Sequence, residues 1–205
     1  MYYIYIMSLN EYLIERGITE LEGNISDVPA QQAELASFSK NAKTALEIGF
    51  NAGHSAEIML QNNSDLNLIS FDLGDHGYSL LGKQYIDMKY PGRHTLIIGD
   101  SRISIPKFIK DFPGKTFDLL FIDGGHEYEI AKADLENCKN LAHKESIVIL
   151  DDTVMHPDNI ICEFNIGPNK ALIELESKKT LINVRCIDFA VGRGMSVAKY
   201  NLDNL

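Results

Sequence analysis

The stretch Leu46-Glu-Ile-Gly49-Phe-Asn51-Ala-Gly53-His-Ser55-Ala-Glu-Ile-Met-Leu60 decides the fold. With the two residues before it, Thr44–Ile48 (TALEI) is a short apolar run interrupted by a single acid. Two glycines follow, and then His54–Gln61 reads as a helix. An apolar run, a glycine-bearing turn and a helix in that order predict a β-strand that feeds directly into an α-helix. The pattern repeats outward. Strands are expected at Leu66–Phe71 (LNLISF), Thr95–Ile98 (TLII), Phe117–Ile122 (FDLLFI) and Ser146–Leu150 (SIVIL), with helices at Ser79–Lys89, Ile103–Lys110 and Glu127–Leu141. Strands that are apolar along their whole length, separated by helices, indicate a parallel sheet covered on both faces. The expected fold class is therefore α/β, a doubly wound Rossmann-like sheet of five parallel strands with helices on both faces.

The two ends of the chain differ from this core. A helix near Asn169–Lys178 leads to strands at Asn183–Ala190 and Met195–Tyr200, joined across Gly192-Arg193-Gly194, which read as a C-terminal antiparallel hairpin. Thr153–Pro168 reads as a long irregular connection, of the kind that forms lids over strand ends. At the front, Ser8, Glu11 and Gly17 mark a capped helix over residues 8–17, and a second helix is expected at Ala30–Ser39. Residues 1–205 are expected to form one domain, with the helical segment 1–40 contributing to the cover of the active site.

Composition excludes several classes. The chain carries 29 Asp and Glu against 19 Lys and Arg, a net charge of −10, which repels a phosphate backbone and argues against nucleic acid. Cys138, Cys162 and Cys186 are too few for a disulfide framework and show no zinc spacing. The apolar start, Met1 to Met7, lacks a basic lead and a cleavage site, and no segment approaches the ~20 apolar residues of a membrane span. A cytoplasmic protein with no membrane partner is expected. Its oligomeric state is open, and a homo-oligomer is compatible with the sequence.

In open α/β sheets ligands bind beyond the carboxyl ends of the strands, so those ends are the candidate site positions. The first strand ends in Glu47 and Gly49, and Gly53 precedes a helix whose free N–H groups attract an anion. Asp72, at the end of the second strand, is an acid suited to ribose hydroxyls. Together they suggest a nucleoside-containing cofactor. A dinucleotide fingerprint would place glycine where Asn51 stands, which disfavours NAD.

The run LEIGFNAGHSAEIML resembles motif I of class I methyltransferases, in the variant seen in catechol O-methyltransferase and its relatives. The resemblance continues through Ile98–Ser101, Phe117–Asp123, Ile149–Asp152 and the closing hairpin Gly192–Tyr200. The stretch FIDGGHEYEIAKADLEN is closest to a metal-dependent subgroup that includes macrocin O-methyltransferase-like sugar methyltransferases. The resemblance implies that S-adenosylmethionine (SAM) is the cofactor. Glu47, Gly49 and Gly53 would shape its methionine end with Ser55 near the carboxylate, Asp72 would hold the ribose, and Asp100 and Ser101 would lie beside the adenine. Asn51 falls within the same loop, where the nearer relatives also lack the middle glycine.

Three carboxylates fall at two neighbouring strand ends: Asp123 after the fourth, Asp151 and Asp152 after the fifth. Clustered carboxylates repel unless a cation joins them, and oxygen-only ligands suit Mg²⁺ or Mn²⁺. The resembled family binds a divalent ion at these positions. His126, three residues beyond Asp123 at the start of the next helix, is either a general base or a histidine bonding a neighbouring carboxylate. His126 and Asp123 are the catalytic candidates. His54 and His76 lie in candidate binding loops, and His94, His143 and His156 read as surface residues. Gln31, Gln32 and the loop 73–80 are expected to shape the acceptor pocket. The expected activity is methyl transfer from SAM to a hydroxyl of a small molecule or glycan, a sugar before a phenol or catechol. An NAD-dependent oxidoreductase and a catalytically silent SAM-binding protein are the alternatives of another class.

Overall fold

The computed structural model describes residues 7–156 and 162–203. Seven helices and seven strands occur among them: α1 Leu9–Ile14, α2 Pro29–Ser39, β1 Thr44–Ile48, α3 His54–Asn62, β2 Asn67–Asp72, α4 Ser79–Lys89, β3 His94–Ile98, α5 Ser101–Asp111, β4 Phe117–Ile122, α6 Tyr128–Cys138, β5 Ala142–Leu150, α7 Glu163–Ser177, β6 Leu181–Ala190 and β7 Arg193–Tyr200. The strands form one sheet in the order β3-β2-β1-β4-β5-β7-β6. β1 to β5 pair in parallel, and β7 is antiparallel to both β5 and β6. This is the expected α/β architecture of five parallel strands closed by a hairpin.

Strand alternation sends successive side chains to opposite faces. Ala45, Leu119, Phe121 and Ile149 join a core with Leu13, Leu35, Met59 and Tyr85, from α1 to α4. Leu46, Ile48, Leu120 and Leu150 join a second core with Ile105, Leu135 and Leu172, from α5, α6 and α7. Both faces are covered, which is why the strands read as continuous apolar runs. Each fully buried Leu, Ile or Phe contributes about 1.5–3 kcal/mol. No helix among the described residues is long and apolar enough to cross a membrane.

Several boundaries differ from the sequence expectation. The N-terminal helix stops at Ile14, although its capping box is formed as expected: Ser8 receives the Glu11 N–H while the Glu11 carboxylate accepts from the Ser8 backbone. α6 gives way to a 3₁₀ turn over Lys139–Leu141. The largest difference lies in Thr153–Pro168, expected to be irregular throughout: α7 begins at Glu163 and carries Pro168 inside it, and residues 157–161 lie outside the described set. Proline withholds one helical N–H, but burial outweighs that loss here. Asn165, Gly167, Pro168, Ala171 and Leu172 are all buried. A side chain on Gly167 would stand 2.1 Å from the His126 carbonyl oxygen, so the glycine lets α7 lie directly on the chain entering α6.

Candidate active site

Strand order reverses between β1 and β4, and the residues one step past their ends form a row. The Gly49 N–H donates to the Phe71 carbonyl, the Asp123 N–H to Ile48, and the Asp151 N–H to Ile122, at 2.8, 2.8 and 2.9 Å. Sheet register thus carries each strand end to its neighbour's side. Gly49 has φ +91°, and a Cβ there would stand 1.8 Å from the Asp123 carbonyl oxygen. Gly53 has φ +95°, and a Cβ would meet the Phe50 ring at 2.8 Å. Both glycines are required by the protein's own packing.

Past β4 and β5, ligand atoms of Asp123, His126 and Asp152 all lie within 4.8 Å of one another. His126 Nε2 is 3.0 Å from Asp152 Oδ2, so the histidine does bond a neighbouring carboxylate. It stands just before the helix rather than in it, since Glu127 is the cap of α6. Asp152 adopts φ +54°, which Asp tolerates better than most residues, and this turns its side chain towards His126. Asp151 points elsewhere. Both its oxygens accept from Gln31 Nε2, at 2.8 and 2.7 Å, and Oδ1 also accepts the Asp152 N–H. Gln31 of α2 therefore ties the N-terminal region to the acidic row, and its own Oε1 is buried without a donor among the described residues.

Electrostatics follow from this crowding. Burial, then repulsion from Asp151 and Asp152, holds the Asp123 carboxyl well above the usual carboxylate range. Burial and Asp152 push Asp151 up to about 7. His126 is raised by its bond to Asp152. The Arg193 guanidinium opposes the shifts of both Asp123 and Asp151. Arg193 opens β7, and one of its nitrogens donates to the Asn24 carbonyl at 2.6 Å. In the sequence it stands only as a turn residue between Gly192 and Gly194.

The nucleoside side of the row is equally organised. Glu47 is fully buried on β1, in register with Ser70 of β2, and its carboxylate accepts from the Ser55 and Ser70 hydroxyls, each at 2.5 Å. Ser70 Oγ also lies 2.9 Å from His94 Nε2. When Glu47 is ionised the Ser70 proton goes to it, and His94 then donates its Nε2–H to Ser70. Burial lowers the His94 pKa to about 3, so it stays neutral. His94 is 7 % exposed and stacks on Phe50, which corrects its reading as a surface residue. Burial lifts Glu47 to about 7. Asp72 accepts the Asn51 N–H and the Gly74 N–H, both at 2.8 Å, with one lone pair still free on each oxygen. Asn51 Oδ1 is buried without a donor among the described residues.

Asp100 caps α5 through the Arg102 N–H and pairs with the Arg102 guanidinium, so its carboxylate is already engaged; Ser101 begins the helix beside it. Residues 22–24 contact the loops at three points. Glu22 meets the His76 ring, the Gly23 carbonyl accepts from Asn51 Nδ2, and the Asn24 carbonyl accepts from Arg193. His54 bonds Asn10 of α1 through Nε2.

Solved structures share this fold. The O-methyltransferase from Bacillus cereus in complex with SAH superposes with a TM-score of 0.73 at 16% identity, over 94% of this chain and 90% of that one. The O-methyltransferase TomG from Streptomyces achromogenes, involved in tomaymycin synthesis and bound to SAM, gives 0.72 at 16% identity over 94% and 87%. CalS11, a TDP-rhamnose 3'-O-methyltransferase of calicheamicin biosynthesis, gives 0.62 at 20% identity over 84% and 81%. No curated protein sequence matches the chain. A family model described as a methyltransferase domain matches residues 46–153. That span is more than half of the chain and runs from β1 through the acidic pair after β5, so the chain belongs to this methyltransferase-domain family.

Proposed function

We propose that the protein transfers a methyl group from SAM to a hydroxyl oxygen of a small-molecule or glycan acceptor, a sugar in the first instance, with a divalent cation, Mg²⁺ or Mn²⁺, at the acidic row. The observation that carries this reading is the convergence of Asp123, His126 and Asp152 beside the Glu47–Ser55 loop. SAM supplies an activated methyl group, and the cation supplies a Lewis acid that lowers a hydroxyl's pKa. The residues present suit both. Asn51 Oδ1 and the Glu47 carboxylate are buried acceptors for an ammonium group, and Asp72 has lone pairs for two ribose hydroxyls. Asp100 and Ser101 flank the adenine in this reading. Asp123 and Asp152, with Asp151 behind them, supply the hard oxygens that a divalent cation prefers.

The chain's own part is then to orient and to move a proton. His126 takes the acceptor's proton at Nδ1, the ring nitrogen not bonded to Asp152, as the methyl carbon leaves the sulfonium sulfur for the acceptor oxygen, and Asp152 holds the imidazolium that results. Arg193 offsets part of the carboxylate repulsion. Residues 22–24, bridging Asn51 and Arg193, act as the cover that the N-terminal segment lends to a single domain over residues 1–205.

A phenolic acceptor is the second reading. It is favoured by partly exposed Met155, Phe164, Ile166 and Val191, and by the Phe164 ring 5.6 Å from the His126 ring. Labelled SAM offered with a panel of sugars and phenols, before and after chelation and with Mg²⁺ or Mn²⁺ restored, tests the proposal. Full turnover in chelated protein would remove the cation from it, and binding of NAD in place of SAM would overturn it.

A further inference from the structure

Glu47 on β1, Ser70 on β2 and His94 on β3 form a polar row across three adjacent strands. Glu47 is in register with Ser70, and His94 is in register with Leu68, two positions before Ser70 and on the same face. Ala45 and Leu68 of that face belong to the apolar core, and all three polar residues are buried there. Such a row weakens the fold unless its donors and acceptors are matched.

The matching has a direction. The Ser55 and Ser70 hydroxyls lie 2.5 Å from the two Glu47 oxygens, and Ser70 Oγ lies 2.9 Å from His94 Nε2. A serine hydroxyl carries one proton. Given to an ionised Glu47, it leaves a lone pair for the His94 Nε2–H. Given to His94, it would leave two oxygens facing each other without a proton between them. The other ring nitrogen agrees: Nδ1 is buried and has no partner among the described residues. A proton there would be an unmatched donor, whereas on Nε2 it is used.

The surroundings keep the ring neutral. Burial and then Lys83 disfavour its cation, against a weaker pull from Asp87 on the same helix, α4. Phe50 stacks on the ring, and Lys83 Nζ donates to the His94 carbonyl at 3.2 Å. Around Glu47, Asp72 opposes ionisation and the two hydroxyls favour it. Asp123, past β4, also repels the Glu47 charge.

We propose that His94 is a positioning residue for Glu47: its Nε2–H, donated to Ser70, commits the Ser70 proton to the Glu47 carboxylate and so holds that carboxylate as an acceptor beside the β1–α3 loop. That this acceptor meets the ammonium of SAM rests on the function proposed above; the direction of the row does not.

Nitrogen NMR of the imidazole, in the protein alone, reads the direction. His94 should carry a single proton, on Nε2, at pH 8 and remain neutral at pH 5. A proton on Nδ1 at pH 8 would overturn the proposal, because Ser70 would then donate to His94. Carbon NMR of the Glu47 carboxyl reads the consequence. In His94→Phe, which keeps a ring on Phe50 but no donor, Glu47 should hold its proton roughly tenfold more tightly, the lower end for a hydrogen bond to a charged group. His94→Leu replaces it if the phenylalanine variant does not fold. His94→Gln, whose amide nitrogen reaches the Nε2 position, should restore most of the difference. On a Ser70→Ala background, His94→Phe should change nothing further. An unchanged Glu47 titration in the donorless variant, or the same change without Ser70, would overturn the proposal. In turnover, His94→Phe should raise KM for SAM roughly tenfold while kcat holds, and His94→Gln should return it. A shifted Glu47 titration with unchanged SAM affinity would leave the row standing and overturn the placement of the ammonium in the proposed function.

Discussion

Replacing Glu47 by glutamine isolates the energetic cost of placing an acid in the core. The carboxyl is fully buried, and its pKa lies near 7 rather than the ordinary 4.5 because burial disfavours the anion more than the Ser55 and Ser70 hydroxyls stabilise it. For an acid whose folded pKa is raised, the neutral form is the one that favours folding. Its contribution is fully present below pH 4.5 and is lost as the pH rises through 7. Each tenfold change in proton affinity is worth about 1.4 kcal/mol, so wild-type stability should fall by about 3 kcal/mol across that window from this group. Glutamine cannot ionise. With its amide nitrogen towards Ser55, whose hydroxyl can turn to accept, and its oxygen towards Ser70, it keeps both hydrogen bonds. Urea unfolding of the protein alone should therefore find Glu47→Gln within about 1 kcal/mol of wild type at pH 5 and about 3 kcal/mol more stable at pH 8. The other buried acids are common to both proteins, and the one that feels the Glu47 charge, Asp123, is relieved by the glutamine in the same direction. A stability difference that is the same at both pH values would refute the argument, because Glu47 would then ionise as readily in the fold as in the unfolded chain. The same variant should bind SAM more weakly, having lost the anion that faces the ammonium in the proposed function.

Three further outcomes follow. Gly49→Ala places a Cβ 1.8 Å from the Asp123 carbonyl oxygen at φ +91°, and should cost at least about 2 kcal/mol in thermal or urea unfolding. Asp72→Ala should weaken SAM binding by about 1.5–3 kcal/mol in calorimetry, since it removes charged acceptors and also frees the Asn51 and Gly74 N–H groups. His126→Ala should slow methyl transfer roughly 10²–10⁴-fold with SAM affinity near wild type. Near-normal turnover at saturating acceptor would leave His126 only its bond to Asp152.

Much of the fold is legible because burial on both faces writes itself into the strands as unbroken apolar runs. β1, β4 and the α2, α3 and α4 regions fall close to where the pattern puts them. The first part of α7, residues 163–168, is hidden because Gly167 and Pro168 are helix breakers by local propensity. Their value is tertiary, since the missing Cβ lets α7 sit on the chain at His126–Tyr128. His94 misleads for a related reason. A polar first residue of a strand looks exposed, yet its partner Ser70 lies on the neighbouring strand and its stacking partner Phe50 in the β1–α3 loop.

The site is legible to the level of residue positions and no further, and the reason lies in how it is assembled. Sequence shows which residues follow each strand, and register makes those residues neighbours: Gly49 beside Asp123, Asp123 beside Asp151. It does not show where each side chain turns. Asp151 and Asp152 are adjacent, but the left-handed backbone at Asp152 sends one carboxylate to His126 and leaves the other to Gln31, a residue 120 positions earlier. Arg193 reaches the same acids from the far end of the chain. Gly49 shows the consequence for reading such motifs. Its Cβ is excluded by the Asp123 carbonyl, so a glycine expected to shape the cofactor's methionine end first makes room for the loop carrying the acids. A side chain at Gly49 would push the β1 and β4 loops apart. The acidic row depends on their contact, so the nucleoside side and the acidic side of this site cannot be varied independently.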